Sequence, residues 1–275
     1  MNSLRAPENR SNPQLAALDI RIADVHHFFS TTQAETAIHA VDGVSLHIPQ
    51  GQFVALVGPS GCGKTTLLNM VAGLVRPSAG SVKVGDTEVT APRAEFGYVF
   101  ARDTLMPWRT VLGNVEFALS QYGYKNRAER RQLATEWLNV VGLGNFLHAY
   151  RYQLSQGMRQ RAAIARTLAA RPRLILMDEP FAALDAQTRL ILQNEFTRLW
   201  GETGATVVFV THDLTEAALL SDRVVLMTRR PGRIKLDVKI PLSRPRDLEK
   251  DRFDPAFRAA YDELSSQLKE ELDRL

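Results

Sequence analysis

The stretch Phe53-Val54-Ala55-Leu56-Val57-Gly58-Pro59-Ser60-Gly61-Cys62-Gly63-Lys64-Thr65 decides the fold of this chain. Residues 58–65 fill every fixed position of the glycine-rich pattern G-x-x-x-x-G-K-[ST]. The apolar run 53–57 predicts a short buried strand, and apolar residues at helical spacing after the pattern predict a helix that begins near Lys64. Glycines in such a turn let backbone N–H groups point inward at the positive end of the helix, which favours phosphate. The sequence therefore predicts a strand, a phosphate-binding loop and a helix in that order.

The loop has predicted roles for individual residues. Lys64 is expected to reach the β- and γ-phosphates of a nucleotide, and the Thr65 hydroxyl is expected to ligate Mg²⁺. Cys62 is the only cysteine, so the chain forms no internal disulfide, and we interpret this residue as a small filler of the loop. The predicted nucleotide contacts here are Gly58, Pro59, Ser60, Gly61, Cys62, Gly63, Lys64, Thr65 and Thr66.

Two acidic residues follow a second apolar run, Ile175-Leu176-Met177. Asp178 is expected to emerge beside the Mg²⁺ ion, with Glu179 one residue further on. Adjacent carboxylates at the carboxyl end of a strand suit metal binding and the activation of water. We assign Glu179 as the general base.

The rest of the chain divides into regions with different patterns. Stretches that predict a small antiparallel sheet lie near 18–25, 44–48 and 81–89. Apolar runs that alternate with helical stretches, and so predict a parallel sheet, lie at 174–177, 206–210 and 223–227. The pattern from about 110 to 170 is mainly helical, with a break at Gly142 and Gly144. We expect an α/β fold with a mostly parallel core sheet, an N-terminal antiparallel β subdomain and a helical subdomain inserted at about 102–170.

Three segments follow from these patterns. Residues 1–17 are expected to form a flexible tail, because they lack the apolar region of a signal peptide. Residues 18–245 form the main domain, and residues 246–275 form a helical C-terminal extension. Asp254 is the predicted N-cap of the extension's helix, and Pro255 is its first residue.

Composition and charge exclude only a few classes of function. Apolar residues make up 45% of the chain and charged residues 23%, as in soluble globular proteins. The longest apolar runs are far shorter than the ~20 residues that span a bilayer, so we expect the chain to stay in the cytoplasm. Residues 137–177 contain six arginines and no acidic residue. Since aromatic residues are not interleaved with them, this basic stretch favours a solvated helix face near nucleotide phosphates over nucleic-acid binding.

Two further motifs complete the set. Leu154-Ser155-Gln156-Gly157-Met158 lies before the acidic pair, and Thr211-His212-Asp213 lies after it. With the four motifs in this order, residues 18–245 resemble the ATPase subunit of an ABC transporter, a P-loop NTPase with a RecA-like core. The resemblance implies that the chain hydrolyses ATP with Mg²⁺ as cofactor.

The resemblance also implies roles for residues outside the phosphate loop. Ser155 and Gly157 close over the γ-phosphate that a second subunit holds, Asp185 lies in a loop at the seam between the two subunits, and His212 senses the γ-phosphate. Phe29 corresponds to the aromatic residue that stacks on adenine, although Phe28 could take its place.

The implied partners are a second cassette, two transmembrane permease subunits and, indirectly, a periplasmic or extracellular solute-binding protein. The dimer is expected to be a homodimer, with a pseudo-dimer left open. The subunit would lie on the cytoplasmic face of the inner membrane. Leu105-Met106-Pro107-Trp108 and the ending around Pro245-Arg246-Asp247 resemble the importer branch for nitrate, sulfonate, taurine and bicarbonate. The solute is set by the other subunits.

The chain departs from the family's pattern at Ala101, where a glutamine normally contacts Mg²⁺ and the attacking water. Alanine has no side-chain donor or acceptor, so the contact is absent, mediated by water, or supplied by Arg102 or Asp103. This leaves open a catalytically weak, nucleotide-gated adaptor. A mechanoenzyme acting on DNA or ribosomes is a further alternative, but no coiled coil or second cassette supports it.

His26 and His27 also stand out. They lack further ligands at metal-binding spacing, so the sequence predicts no metal site there.

Overall fold

The computed structural model describes residues 17–30 and 37–273, which group into two compact units. We call Ala94–Thr203 the helical unit. The P-loop unit consists of Ala17–Arg93 together with the chain from Gly204 onward. The predicted tail, residues 1–17, lies almost wholly outside the described residues.

An antiparallel sheet opens the P-loop unit. Its strands are β1 (Ile20–Phe29), β2 (Ile38–Ile48), β4 (Ala79–Val84) and β5 (Thr87–Glu88), in the order β2-β1-β4-β5. Buried and exposed residues alternate along the first part of β1, as expected for strands with one face on the core. The antiparallel β subdomain predicted from the sequence is therefore confirmed.

A second set of strands in the P-loop unit positions the phosphate loop. Its strands are β3 (Phe53–Val57), β8 (Thr206–Val210), β9 (Arg223–Met227) and β10 (Ile234–Lys239). They neighbour one another in the order β10-β9-β3-β8, with β9, β3 and β8 parallel and β10 antiparallel to β9. All five residues of β3 and of β8 are buried, which explains why these strands are continuous apolar runs in the sequence. The helices of this unit are α1 (Lys64–Val71), α6 (Leu214–Leu220) and α7 (Pro255–Asp273).

The helical unit contains two parallel strands and four α-helices. The strands are β6 (Phe96–Val99) and β7 (Leu174–Asp178). The helices are α2 (Val111–Gln121), α3 (Arg127–Val140), α4 (Gln156–Ala169) and α5 (Ala186–Thr203). The side chains of Thr110, Asn126 and Ser155 accept backbone N–H groups as N-caps of α2, α3 and α4. Such caps satisfy donors that have no partner within the helix.

The structure refines several boundaries. The helix after the phosphate loop begins at Lys64 as predicted and ends at Val71. Gly73 ends it with a φ of 75°, in a position where a Cβ would approach the backbone of Ala91 within 2.4 Å. Asp254 caps α7 as predicted, since its Oδ1 accepts the Ala256 N–H at 2.7 Å. None of the helices in the described ranges has both the length and the apolar character needed to cross a membrane.

Candidate functional site

The phosphate loop lies between β3 and α1 and depends on its glycines. Gly58, Gly61 and Gly63 all have positive φ, at 149°, 74° and 98°. A Cβ on Gly58 would lie 2.8 Å from the Met227 carbonyl oxygen, and one on Gly63 would lie 2.9 Å from Ala40 O. Only glycine fits both the backbone conformation and the close packing. The predicted turn is therefore present, and close packing against neighbouring backbone atoms restrains it.

Lys64 is turned back onto the loop that precedes it. Its Nζ donates hydrogen bonds to Gly58 O at 2.7 Å and Pro59 O at 2.9 Å, and the side chain is largely buried. Cys62, within the loop, is buried at 1% exposed, and its Sγ lies 3.6 Å from the Lys64 Nζ. Burial raises the pKa of the Cys62 thiol, although the Lys64 ammonium opposes this, so the residue stays a neutral filler.

His212 lies at the same strand edge as the phosphate loop. It follows β8, which runs parallel to β3, and the Thr211 N–H donates to Leu56 O at 3.3 Å. Because the carboxyl ends of parallel strands meet at one edge, His212 and Gly58 follow neighbouring strand ends. Asp213 then caps α6 by accepting the N–H groups of Thr215 and Glu216. The cap fixes the point at which His212 leaves the sheet.

The two candidate adenine-stacking residues lie at the end of β1, and they differ in their contacts. The Phe28 ring stacks on His39, with centroids 4.1 Å apart and planes 14° from parallel. The Phe29 ring meets His27 at 84°, with centroids 4.5 Å apart. Both phenylalanines are about two-fifths exposed. One face of Phe28 is therefore already covered by a parallel ring.

In the helical unit, the acidic pair ends the buried strand β7 as the sequence predicts. Asp178 is 8% exposed. Burial, and then the charge of Asp178, raises the pKa of Tyr98 on the neighbouring strand β6. Glu179 has a φ of 45°, in the left-handed region that few non-glycine residues adopt. Such strain is typical of residues held in place for function.

Residues 154–158, which we call the signature segment, lie beside the Asp185 loop within the helical unit. Ser155 caps α4 by accepting the Met158 N–H at 3.3 Å. At Gly157, an added Cβ would lie 3.5 Å from Leu184 Cδ2, which is an ordinary contact distance. Asp185 accepts the Thr188 N–H at the start of α5, and this bond holds the pKa of its carboxyl below the usual range. Ser155 and Asp185 are both exposed.

Hydrogen bonds tie the segment after β6 to α4, which we call the signature helix. Asp103 accepts hydrogen bonds from Arg151 Nε at 2.6 Å and from Arg159 Nε at 3.1 Å. Gln160 Nε2 donates to Phe100 O at 3.1 Å, next to Ala101. We call this set of contacts the Asp103 clamp. Since Asp103 is engaged with two arginines and Ala101 is exposed, the structure favours a connecting role for Asp103 over replacement of the missing glutamine.

Comparison with known proteins gives a consistent result. A family model described as "ABC transporter" matches residues 41–182, just over half of the chain. An uncharacterized ABC transporter ATP-binding protein of Methanocaldococcus jannaschii is 55% identical over 76% of this chain and 78% of its own length. The taurine import ATP-binding protein TauB of Yersinia pestis is 48% identical over 71% of this chain and 76% of its own length. TauB of Pelagibacter ubique is 39% identical over 91% of this chain and 95% of its own length.

Solved structures agree with these relatives. The dimeric structure of an ATP-binding cassette in a post-hydrolysis state, bound to ADP and Pi, matches with a TM-score of 0.74. It is 33% identical and covers 82% of this chain and 100% of its own. A second dimeric cassette structure matches with the same TM-score and 34% identity.

Proposed function

The chain belongs to the ABC transporter ATP-binding family, and on that basis we propose that it hydrolyses MgATP at the interface of two cassettes to drive uptake of a small solute through a permease. One observation carries the proposal. The loop 58–65 joins a buried strand to the positive end of α1, and three of its glycines have positive φ. A glycine-rich loop of this kind can direct backbone N–H groups at an anion. A nucleotide phosphate is the ligand for which this arrangement is suited.

Mg²⁺ fits the residues proposed for it. Thr65 is exposed in the first turn of α1, and Asp178 ends the buried strand β7. A hydroxyl and a carboxylate supply the oxygen ligands that Mg²⁺ prefers. The bound ion would neutralise charge on the β- and γ-phosphates.

The proposed chemistry uses three further residues. Lys64 would exchange its bonds to Gly58 O and Pro59 O for bonds to phosphate oxygens. Glu179 would accept the proton of the attacking water, and His212 would contact the γ-phosphate. This order of events gives Lys64 two hydrogen-bonded states, one before nucleotide binding and one after it.

A second set of residues would act on the partner's nucleotide. Ser155 and Gly157 begin α4, so a hydroxyl and backbone N–H groups lie at the positive end of a helix. Asp185 would contribute at the seam between the two cassettes. Phe29 is proposed to stack on adenine within its own chain, because its contact with His27 is edge to face while Phe28 is covered by His39.

Substitution of the general base tests the proposal. We expect Glu179→Gln to lower ATP turnover of the permease complex by about 10²- to 10⁴-fold, since a positioned base contributes that much. Glu202→Gln is the matched control, because Glu202 is exposed on α5 and pairs with Arg198. ATP turnover of both variants and the parent chain is measured in the complex reconstituted with its permease. Unchanged turnover in Glu179→Gln would refute the assignment of the base.

The proposed setting is the cytoplasmic face of the inner membrane. Relatives named for taurine import support a taurine- or sulfonate-type solute. A second copy of the chain, two permease subunits and, beyond the membrane, a solute-binding protein would complete the system.

To test the proposed partners, the chain is purified from gently solubilised native membranes, and proteins that accompany it in stoichiometric amounts are identified by mass spectrometry. A polytopic permease supports the proposal, whereas recovery of nucleic acid or ribosomes would favour a mechanoenzyme.

We also propose that the ATPase domain covers residues 18–245, with a helical insertion at about 102–170, and that residues 246–275 are an extension. Arg246, at the boundary, donates to Ala218 O at 2.9 Å and Leu219 O at 2.7 Å. These bonds to the end of α6 support an extension that docks on the domain.

A further inference from the structure

Three residues from two neighbouring strands meet where β1 and β2 pair. Phe28 on β1 lies opposite His39 on β2, and the register of the two strands shifts between Val25 and His27 and again between His27 and Phe28. Potential ligand atoms of His26, His39 and Asp42 all lie within 4.8 Å of one another. We call these three residues the β1–β2 cluster. It belongs wholly to the P-loop unit, and no role has been assigned to it above.

The distances within the cluster suit a tetrahedral metal ion. His26 Nδ1 lies 3.0 Å from Asp42 Oδ1, and His39 Nε2 lies 3.6 Å from the same oxygen. Tetrahedral bonds of about 2.0–2.1 Å separate neighbouring ligand atoms by roughly 3.3 Å. The two observed distances lie on either side of that value, so an ion would require only small movements of these side chains.

Hydrogen bonds around the cluster orient the ligand atoms. Asp24 Oδ1 lies 3.3 Å from His26 Nε2, while the Gly43 N–H points at His26 Nδ1 at 3.2 Å. A carboxylate therefore faces each ring nitrogen of His26, Asp24 at Nε2 and Asp42 at Nδ1. A metal ion bound at Nδ1 would leave the ring proton on Nε2, facing Asp24. A carboxylate behind a ligating histidine is the usual second layer of a zinc site. The metal would replace the long bond from Gly43.

The other two ligands are held in a comparable way. Arg233 Nε donates to Asp42 Oδ2 at 2.8 Å, which leaves Oδ1 for the cluster. Phe28 stacks on the His39 ring and fixes its plane. His39 Nε2 is buried and has no hydrogen-bond partner among the described residues, although it lies near Asp42.

We propose that His26, His39 and Asp42 bind a divalent transition-metal ion of the Zn²⁺ class, with water as a fourth ligand. Two imidazole nitrogens and one carboxylate oxygen form a ligand set that zinc accepts readily. Mg²⁺ is not suited to this set, because it prefers oxygen ligands in octahedral geometry. The site is therefore distinct from the Mg²⁺ position proposed at Thr65 and Asp178.

Calorimetric titration with ZnCl₂ tests the proposal directly. The full chain is purified without a polyhistidine tag, stripped with a chelator and titrated in the absence of nucleotide, so the result does not depend on ATP hydrolysis. We expect one Zn²⁺ per chain, and at least tenfold weaker binding in His26→Ala and in His39→Ala. His47→Ala is the matched control, because His47 also lies on β2 but has a more than half-exposed side chain that pairs with Asp19, outside the cluster. It should bind as the parent chain does.

A second variant and a second measurement keep the proposal testable if the histidine variants fold poorly. Asp24→Asn suits the positive φ of 46° at this position and removes only the carboxylate behind His26. We expect it to weaken Zn²⁺ binding by roughly 10-fold or more, as changes in this layer do. Zn²⁺ should also raise the thermal unfolding midpoint of the parent chain and of His47→Ala, since it binds the folded state. Mg²⁺ should not do so through this site. No stoichiometric Zn²⁺ binding, or equal binding by parent and His39→Ala, would overturn the proposal.

Discussion

At the residue scale, the assignment of the adenine-stacking residue can be tested by comparing neighbours. We expect Phe29→Ala to weaken ATP binding by about 2- to 13-fold, which corresponds to the ~0.5–1.5 kcal/mol of an aromatic pair. Phe28→Ala should have a smaller effect, because His39 already covers one face of that ring. Affinity is measured by titration of each purified variant with ATP. A larger loss in Phe28→Ala than in Phe29→Ala would move the assignment to Phe28.

Functional residues could be predicted from the sequence where they belong to a motif of neighbouring residues. Lys64, Asp178 and Glu179 lie within motifs whose spacing fixes their position, and the structure places them at the predicted strand and helix ends. The β1–β2 cluster could not be predicted in this way. Whether His26 and His39 lie close together depends on the register of β1 and β2, which includes irregular shifts and cannot be read from the sequence. The prediction of no metal site at His26 rested on spacing in the sequence, whereas the fold brings potential ligand atoms of His39 and Asp42 within 4.8 Å of it.

At the element scale, the Asp103 clamp links the segment after β6 to the signature helix. We expect Asp103→Asn to lower the free energy of unfolding by about 1–3 kcal/mol, because it removes a charged acceptor that is 9% exposed. ATP turnover in the permease complex should also fall, since α4 would lose a support near Ser155. Denaturant unfolding and ATP turnover are the two measurements.

The matched control for the clamp is Glu202→Gln, which removes an exposed carboxylate that pairs with Arg198. A double-mutant cycle with Arg159→Met isolates the pair interaction with Asp103. If the effects of the two substitutions simply add, Asp103 and Arg159 are not coupled, and the clamp does not support the helix.

The docking of α7 can be tested with two adjacent glutamates. Glu271 is 2% exposed, contacts Lys235 Nζ at 3.1 Å and accepts the Arg229 N–H, whereas Glu270 contacts the same lysine from an exposed position. We expect Glu271→Ala to lower the free energy of unfolding by about 1–3 kcal/mol, because it leaves buried donors without an acceptor. Glu270→Ala should cost less than about 1 kcal/mol. Equal losses in denaturant unfolding would show that burial of Glu271 is not what holds the helix.

Strands and helices could be predicted where all their residues are buried or where their apolar residues recur at a regular spacing. β3 and β8 are buried along their whole length, so each is an uninterrupted apolar run. The sequence analysis did not predict β6 or β10. β6 is only four residues long and contains glycine and tyrosine, and β10 carries lysines and an aspartate with no fully buried residue. Pairing with β7 and β9 defines these two strands, and that information is not local.

At the scale of the whole molecule, the proposed function requires a second cassette. Two solved structures that match this chain are dimeric, one of them with ADP and Pi. Within one chain, Ser155 and Asp185 are exposed, although the resemblance assigns both to the nucleotide of the partner. Exposure in a single chain is what residues that act across an interface would show.

Gly157 allows the dimer to be tested without disturbing the fold of the single chain. An added methyl group there would make only ordinary contacts with Leu184 and Ala183, at 3.5 and 3.7 Å, so Gly157→Ala should fold normally. In the dimer, the same methyl group would stand between the start of α4 and the partner's γ-phosphate. We therefore expect Glu179→Gln to form a dimer with ATP, and Glu179→Gln with Gly157→Ala to bind ATP but to remain monomeric.

Sedimentation velocity with and without ATP distinguishes these outcomes. Gly201→Ala in the Glu179→Gln background is the matched control, because it adds the same methyl group on α5, where nothing lies within 4 Å of the new atom. That variant should still dimerise. If Gly157→Ala dimerises equally well, the start of α4 does not approach the partner's nucleotide closely, and the roles proposed for Ser155 and Gly157 would be wrong. If both alanine variants remain monomeric, the effect is not specific to the signature segment. Only loss at Gly157 with retention at Gly201 supports a nucleotide that is shared between two chains.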